Sequence, residues 1–313
     1  MNNIFSAKAY CREHLAGISA IEKKVRSCQV IGSLKSVNDA LTKLTLKNTS
    51  TVSDIAKVIA KDVSLTARLL CLANSVFSGL AVRVTSIEEA IFFLGLRQIR
   101  QMAISMSVLE EMEAFSDGGL VGFLTDYWRH SIATAIMTSE VLTMTNGVKD
   151  DDQYYISGLL GDAGKLVMLY SFPDEFKASL DFDEVTPRKH LERERQEFGF
   201  THADLGALYL ELNNLSPDVV EAVLFHHEPE KADGAKFYAA GIGLADVMAR
   251  YAGFSAGFES SPPIKYGDWE LMEGWEMLFS SNRVGAQYAK ASTLRNIDSL
   301  PSLVSGLLGS GVL

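Results

Sequence analysis

The sequence predicts an all-α fold. Apolar residues recur at three- and four-residue steps over most of the chain while strict alternation is rare, only 7 of the 313 residues are proline, and cap residues punctuate the apolar runs at helix-length intervals. With 47% hydrophobic residues, a chain of this length can bury a large core without covalent staples, as one long domain or two intimately packed ones. The net charge of −10 sets it against non-specific binding to nucleic-acid polymers or anionic membranes, since both need a basic face. Cys11, Cys28 and Cys71 are odd in number, widely spaced and lack a C-x-x-C pair, so neither a disulfide framework nor a cysteine metal site is expected. No secretory signature and no run of about 18 apolar residues occurs, so a soluble, cytoplasmic protein is expected.

Taken in order, residues 1 to 50 carry weakly amphipathic patterns, with Ile18, Ile21 and Val25 on one face and Val37, Leu41 and Leu44 on another. Ser53 can cap a short helix bearing Ile55 and Ile59. Asp62 or Ser64 can cap the next, which runs through Leu69, Ala73 and Val76 to a break at Gly79. Ser86 and Glu89 have capping-box spacing ahead of AIFFLG, and a stripe of Leu96, Ile99, Met102, Met106 and Leu109 follows, its methionines read as core filling. FSDGGLVG, from Phe115 to Gly122, reads as a loop and a first boundary.

Asp126 to Thr145 is again helical, with His130 among its apolar residues. Tyr154 to Pro173 reads as one helix with a wide buried face, stopped by Pro173, and it contains the lone carboxylate of Asp162 between two glycines. A carboxylate beside such a face needs a cation, a metal or hydrogen-bond donors, because burying it unpaired costs several kcal/mol or drives its pKa upward. RKHLERERQEF is charged and reads as an exposed helix face, with His190 at the surface. Thr201 is a candidate N-cap with Asp204 three residues on, which places His202 in a helix's first turn. Ser216 and Pro217 open the next helix, and Pro229 ends it just after His226 and His227. Those two lie about 100° apart on a helix, so either both edge into one site or one faces solvent. Tyr238 to Tyr251 forms a helix holding Asp246. A proline-bearing loop then leads to a helix around Trp269 to Phe279, and the tail LPSLVSGLLGSGVL is uncharged and apolar. The expected organisation is residues 1–115, 116–253 and a helical extension at 254–313.

His130, Asp162, His202, His226, His227 and Asp246 thus lie on successive helices whose apolar stripes must converge. Imidazole and carboxylate suit divalent iron, zinc or manganese, and two such ions can activate water against a phosphoester. Without a metal, Asp162 would be held by His130 or Lys165, and Asp246 by a neighbouring histidine, in a satisfied structural network.

DVSLTARLLCLANSVFSG, SIEEAIFFLGLRQIRQM, YWRHSIATA and GLLGDAGKLVMLYSFP resemble, in order and spacing, the HDOD domain, a relative of the HD and HD-GYP metal-dependent phosphohydrolases. The Asn74-Ser75 pair, the A-I-x-x-L-G run from Ala90 to Gly95 and W-x-H-S at Trp128 to Ser131 carry the resemblance, which covers about residues 30 to 230. It implies a multi-helix HD-like bundle preceded by an N-terminal helical subdomain. It also implies a regulatory or interaction role in bacterial signalling, with a signalling protein as partner in trans; the oligomeric state stays open. Residue by residue, it implies that His130 matches the first histidine of the catalytic relatives, Asp162 the aspartate of their His-Asp pair, His202, His226 and His227 the later histidines, and Asp246 the final aspartate. Gly161 stands where the histidine of the pair would be, and no Gly-Tyr-Pro signature occurs. IGSLKS and Val63 also depart from the usual proline-bearing entry. Lys165 matches a lysine that approaches phosphate in such enzymes, or else is a surface lysine. Two alternatives to the regulatory role follow: a metal-dependent phosphohydrolase acting on a cyclic dinucleotide or nucleotide, with Asp162 and Lys165 in catalysis, and a nucleotide or phospho-ligand sensor in which Lys165 or Arg129 meets the phosphate.

Overall fold

Among the described residues every regular element is helical, as expected. In the computed structural model these residues are 5–28, 84–93, 95, 121–146, 152–182, 186–255, 265, 267–280 and 283–308. The helices expected around Leu41, Ile55, Leu69 and Met102, the Asn74-Ser75 pair, Cys71 and the loop residues 115–120 lie outside them. No helix among the described residues is long and apolar enough to cross a membrane.

The helices are α1 (Ala7–His14), α2 (Ile18–Ser27), α3 (Val121–Asn146), α4 (Asp152–Leu160), α5 (Ala163–Ser171), α6 (Pro173–Ser179), α7 (Pro187–Phe198), α8 (His202–Leu212), α9 (Pro217–Phe225), α10 (Lys236–Tyr251), α11 (Glu273–Phe279) and α12 (Arg283–Leu308), with 3₁₀ turns at Pro229–Lys231 and Asp268–Leu271. By contacts the chain forms two units, one of residues 1–30 with 122–297 and the other of 31–121 with 298–313. Residues 5–28 join the larger unit because α1 and α2 bury Ala7, Cys11, Ile21 and Val25 and pack on α8, with α2 also on α5. In the smaller unit, the Ser86 hydroxyl accepts from the Glu89 amide at 3.1 Å and the Glu89 carboxylate accepts from the Ser86 amide at 3.3 Å, which completes the expected capping box.

The larger unit is built on α5, α8, α9 and α10 packed in series. The contact of α5 with α8 depends on glycine: a Cβ on Gly164 would lie 1.7 Å from the His202 carbonyl oxygen and 2.7 Å from the Gly206 amide. Helix starts follow local chemistry. Thr201 and Asp204 form a reciprocal capping box on α8, Ser216 caps α9 ahead of Pro217, and Thr186 caps α7 ahead of Pro187.

Two elements differ from the sequence expectation. The single helix from Tyr154 to Pro173 is broken: α4 ends at Leu160, Gly161 and Asp162 form a turn, and α5 begins at Ala163. Glycine is a poor helix former and aspartate favours a position just outside a helix, so the Gly-Asp doublet breaks a run whose apolar pattern continues through it. Pro173 opens α6. The charged helix α7 also departs from expectation, because His190 and Glu194 are buried with Leu191 on its inner face.

Candidate metal centre

Six side chains from five neighbouring segments meet in the larger unit. His130 comes from the middle of α3, Asp162 from the α4–α5 turn, His202 from the first residue of α8, His226 and His227 from the turn closing α9, and Asp246 from α10. None is more than 8% exposed. They form two overlapping sets, Asp162 with His202, His226 and His227, and His130 with Asp162 and Asp246, whose donor atoms lie within 4.8 Å of one another. Both histidines of the His226-His227 pair face inward. Backbone approach makes this possible: a Cβ on Gly243 would lie 2.3 Å from the His226 carbonyl oxygen, so only glycine lets α10 sit against that turn.

The proton positions on three rings follow from their partners. A carbonyl oxygen can only accept, so the Nδ1–H of His130 donates to the Phe254 carbonyl at 2.8 Å and that of His226 to the Val223 carbonyl at 2.6 Å. The Nδ1–H of His202 donates to Glu194 Oε2 at 2.7 Å, and the His202 amide donates to the same oxygen at 2.8 Å. In each case Nε2 is the atom turned to the cluster. His202 Nε2 lies 3.5 Å and His226 Nε2 3.7 Å from Asp162 Oδ1, while His130 Nε2 lies 2.9 Å from Asp246 Oδ1 and 3.5 Å from Asp162 Oδ2.

Two cations of the chain itself reach the carboxylates. Lys165 Nζ donates to Asp162 Oδ2 at 2.9 Å, and Arg250 Nε donates to Asp246 Oδ1 at 3.1 Å. Burial alone would raise the Asp162 pKa, but Lys165 and then the surrounding histidines outweigh it and hold the carboxyl well below the ordinary range. Asp246 behaves alike, with Arg250 and His130 overcoming burial. At His130 burial disfavours the imidazolium, yet hydrogen bonds to Asp162 and Asp246 outweigh it and raise its pKa. His202 goes the other way: burial exceeds the pull of Glu194 and lowers its pKa. His227 is pushed well down by burial and by the neighbouring His226 and His202. Glu194 itself lies below the ordinary carboxylate range, because His202 and His190 outweigh its burial. In the His202–Glu194 bond the imidazole N–H donates to the carboxylate.

The donor atoms around Asp162 Oδ1 fit a divalent ion. Asp162 Oδ1, His202 Nε2 and His226 Nε2 are buried without a hydrogen-bond partner and face one another. Leaving three acceptors so arranged costs about 1–3 kcal/mol each. Ligands held about 2.0–2.2 Å from a zinc-sized ion lie about 3–3.5 Å apart, close to the separations present, and imidazoles kept neutral are the form that binds. Asp162, His202, His226 and His227 would hold such an ion, which when bound supplies Lewis acidity and lowers the pKa of coordinated water. In the second set His130 and Arg250 both meet Asp246 Oδ1, while Asp246 Oδ2 is, like Asp162 Oδ1, buried without a hydrogen-bond partner.

Other expected residues fall differently. Lys165 is neither exposed nor free, being 3% exposed and bonded to Asp162. Arg129 is partly exposed and lies 3.8 Å from Asp126, an i,i+3 neighbour on α3. His190, expected at the surface, is buried, with Nε2 3.5 Å from Glu194 Oε1 and its ring edge-on to Phe182. Gly161 has Ile242 beside it: a Cβ there would lie 2.8 Å from Ile242 Cγ2, so a branched apolar side chain fills the space next to the missing histidine. Glu194 was not anticipated at all, although Leu191, Glu194 and Phe198 at i, i+3 and i+7 mark a stripe on an otherwise charged helix. A cleft of about 450 Å³ opens beside the cluster, lined among others by His226, His227, Arg250, Arg188, Val247 and Leu271.

Comparison with known proteins follows from this geometry. The family model of the HDOD domain matches residues 31–229. The chain belongs to the HDOD domain family. An HDOD domain protein with unknown function from Geobacter sulfurreducens shares the fold with a TM-score of 0.66 at 19% identity, over 91% of this chain and 99% of that one. A Marinobacter aquaeolei VT8 protein provisionally assigned to signal transduction superposes with a TM-score of 0.64 at 18% identity, over 99% of this chain and 68% of the other. In sequence, an uncharacterized protein of Treponema pallidum (strain Nichols) is 24% identical over 214 residues, 67% of this chain and 40% of that protein, so the HDOD chain spans about two fifths of this relative's length. These likenesses establish the HDOD fold.

Proposed function

We propose that this HDOD chain is a regulatory interaction module of bacterial signalling, acting on a protein partner in trans, and that its buried cluster holds one divalent ion for structure rather than turning over phosphoesters. The observation that carries the reading is the internal neutralisation of one half of the cluster. Asp246 is engaged by Arg250 and His130, Asp162 Oδ2 by Lys165, and Gly161 with Ile242 replaces a ligand. Two-ion phosphoester chemistry needs ligands enough for both ions, and here one oxygen of each carboxylate is already held by a cation of the chain and one ligand position is a glycine. The provisional signalling role of the Marinobacter relative agrees with this reading.

The test is an assay of purified protein against bis(p-nitrophenyl) phosphate and cyclic dinucleotides with manganese or iron. No turnover above the Asp162→Ala background is expected, and turnover that Asp162→Ala abolishes would defeat the proposal. The hydrolase alternative draws on the unpaired atoms around Asp162 Oδ1 and on the adjoining cleft, which is also where a nucleotide would enter in the sensor alternative. A nucleotide panel in thermal-shift format separates that last case, since a ligand of the folded state raises the midpoint. Gly161→His combined with Ile242→Ala, which clears the space, should raise bound metal per chain by elemental analysis. Gly161→His alone should not, because Ile242 stands in the way.

A further inference from the structure

We infer that Glu194 is the positioning residue of the metal centre, holding His202 so that its Nε2 lone pair meets the ion. This rests on the reading that the cluster binds a divalent ion. Glu194 is 1% exposed on a helix whose other charges are solvated, so its burial calls for a purpose that solubility does not supply. Oε2 accepts both the ring Nδ1–H and the backbone amide of His202, at 2.7 and 2.8 Å, and Oε1 lies 3.5 Å from His190 Nε2. Two bonds from one residue to one oxygen fix the imidazole in plane and in tautomer. The alternative tautomer would set an Nδ1 lone pair against the carboxylate and turn an N–H toward the ion's place. A carboxylate behind a ligating imidazole is a recurring way to orient the ring, and losing it typically costs 10- to 100-fold in metal affinity.

A purely structural role for Glu194, as an acceptor for the first amide of α8, predicts something different, and Glu194→Gln separates the two. The amide oxygen can still accept from His202 and the shape is kept, while the negative charge is removed. Zn²⁺ affinity of the full chain, measured by competition with a chromophoric chelator, should fall 10- to 100-fold in Glu194→Gln, with the helical circular dichroism and the metal-free melting temperature close to those of the unaltered chain. Equal affinity in the two proteins overturns the inference and leaves the metal reading standing. If the unaltered chain binds no Zn²⁺, the metal reading itself fails and takes this inference with it. Should Glu194→Gln not fold, long-range ¹H–¹⁵N spectra of the unaltered metal-free chain decide: a His202 ring protonated at Nδ1 supports the assignment, and one protonated at Nε2 alone overturns it.

Discussion

The His130–Asp246 side of the buried cluster and the His202–His226–His227 side are made of the same residue types and share Asp162, yet they are chemically opposite. On the first side, protons and cations come from the chain: Arg250 and His130 reach Asp246 Oδ1 at 3.1 and 2.9 Å, and burial fails to strip the His130 ring of its proton. On the second side, His202 and His227 have lowered pKa values, and His202 Nε2, His226 Nε2 and Asp162 Oδ1 point at one another without a donor between them. The difference lies in what stands next to each carboxylate oxygen. A guanidinium or ammonium within hydrogen-bonding reach does the neutralising work of a metal ion at Asp246 Oδ1 and Asp162 Oδ2, whereas Asp162 Oδ1 faces imidazole nitrogens with no such cation beside it. A cluster can thus keep nearly all of a hydrolase's ligand types while one oxygen of each of its carboxylates is met by a cation of the chain.

The largest blow to this contrast should come from Asp162→Ala, which removes the oxygen that both sides share. Lys165 would be left buried without its carboxylate, and breaking a buried pair costs about 3–5 kcal/mol. Denaturant titration should show that loss, and metal uptake should vanish with it. Gly164→Ala should cost about 3 kcal/mol, the upper part of the overpacking range, because its methyl group would overlap the His202 carbonyl and push α8 from α5. Its metal content should fall as well, since His202 and Asp162 ride on those two segments.

Arg250→Gln tests the closed side alone. Loss of a charged hydrogen bond to Asp246 should cost roughly 1.5–3 kcal/mol in denaturant titration, with Zn²⁺ affinity at the other side nearly unchanged. A large loss of affinity would mean that the two sides act as one. The smallest effect is expected from Ser216→Ala, which removes the cap of α9 at the end away from His226. About 1 kcal/mol of stability should go, with no change in metal binding.

How far the site could be read in advance varied with the kind of residue. His130, Asp162, His202, His226, His227 and Asp246 were legible because polar residues of ligating type stood out against apolar helical stripes that had to converge. Glu194 was hidden by its neighbours: among arginines and glutamates, one buried carboxylate has no local signature beyond its place between Leu191 and Phe198. His190 was misplaced for the same reason. The break at Gly161 and Asp162 was obscured by an apolar pattern that runs on through both short helices.

The sequence by itself determined the helical class, the helix starts at Thr201 and Ser216, and the set of candidate ligands, because periodicity and capping act over three or four residues. Only the tertiary structure decided that Asp162 Oδ1 meets the imidazoles of His202 and His226, that His130 reaches Asp246, and that Glu194 stands behind His202. Those outcomes depend on how closely helices approach, at Gly164 against His202 and at Gly243 against His226. A contact of a few ångströms between segments far apart in the chain leaves no periodic trace in either one.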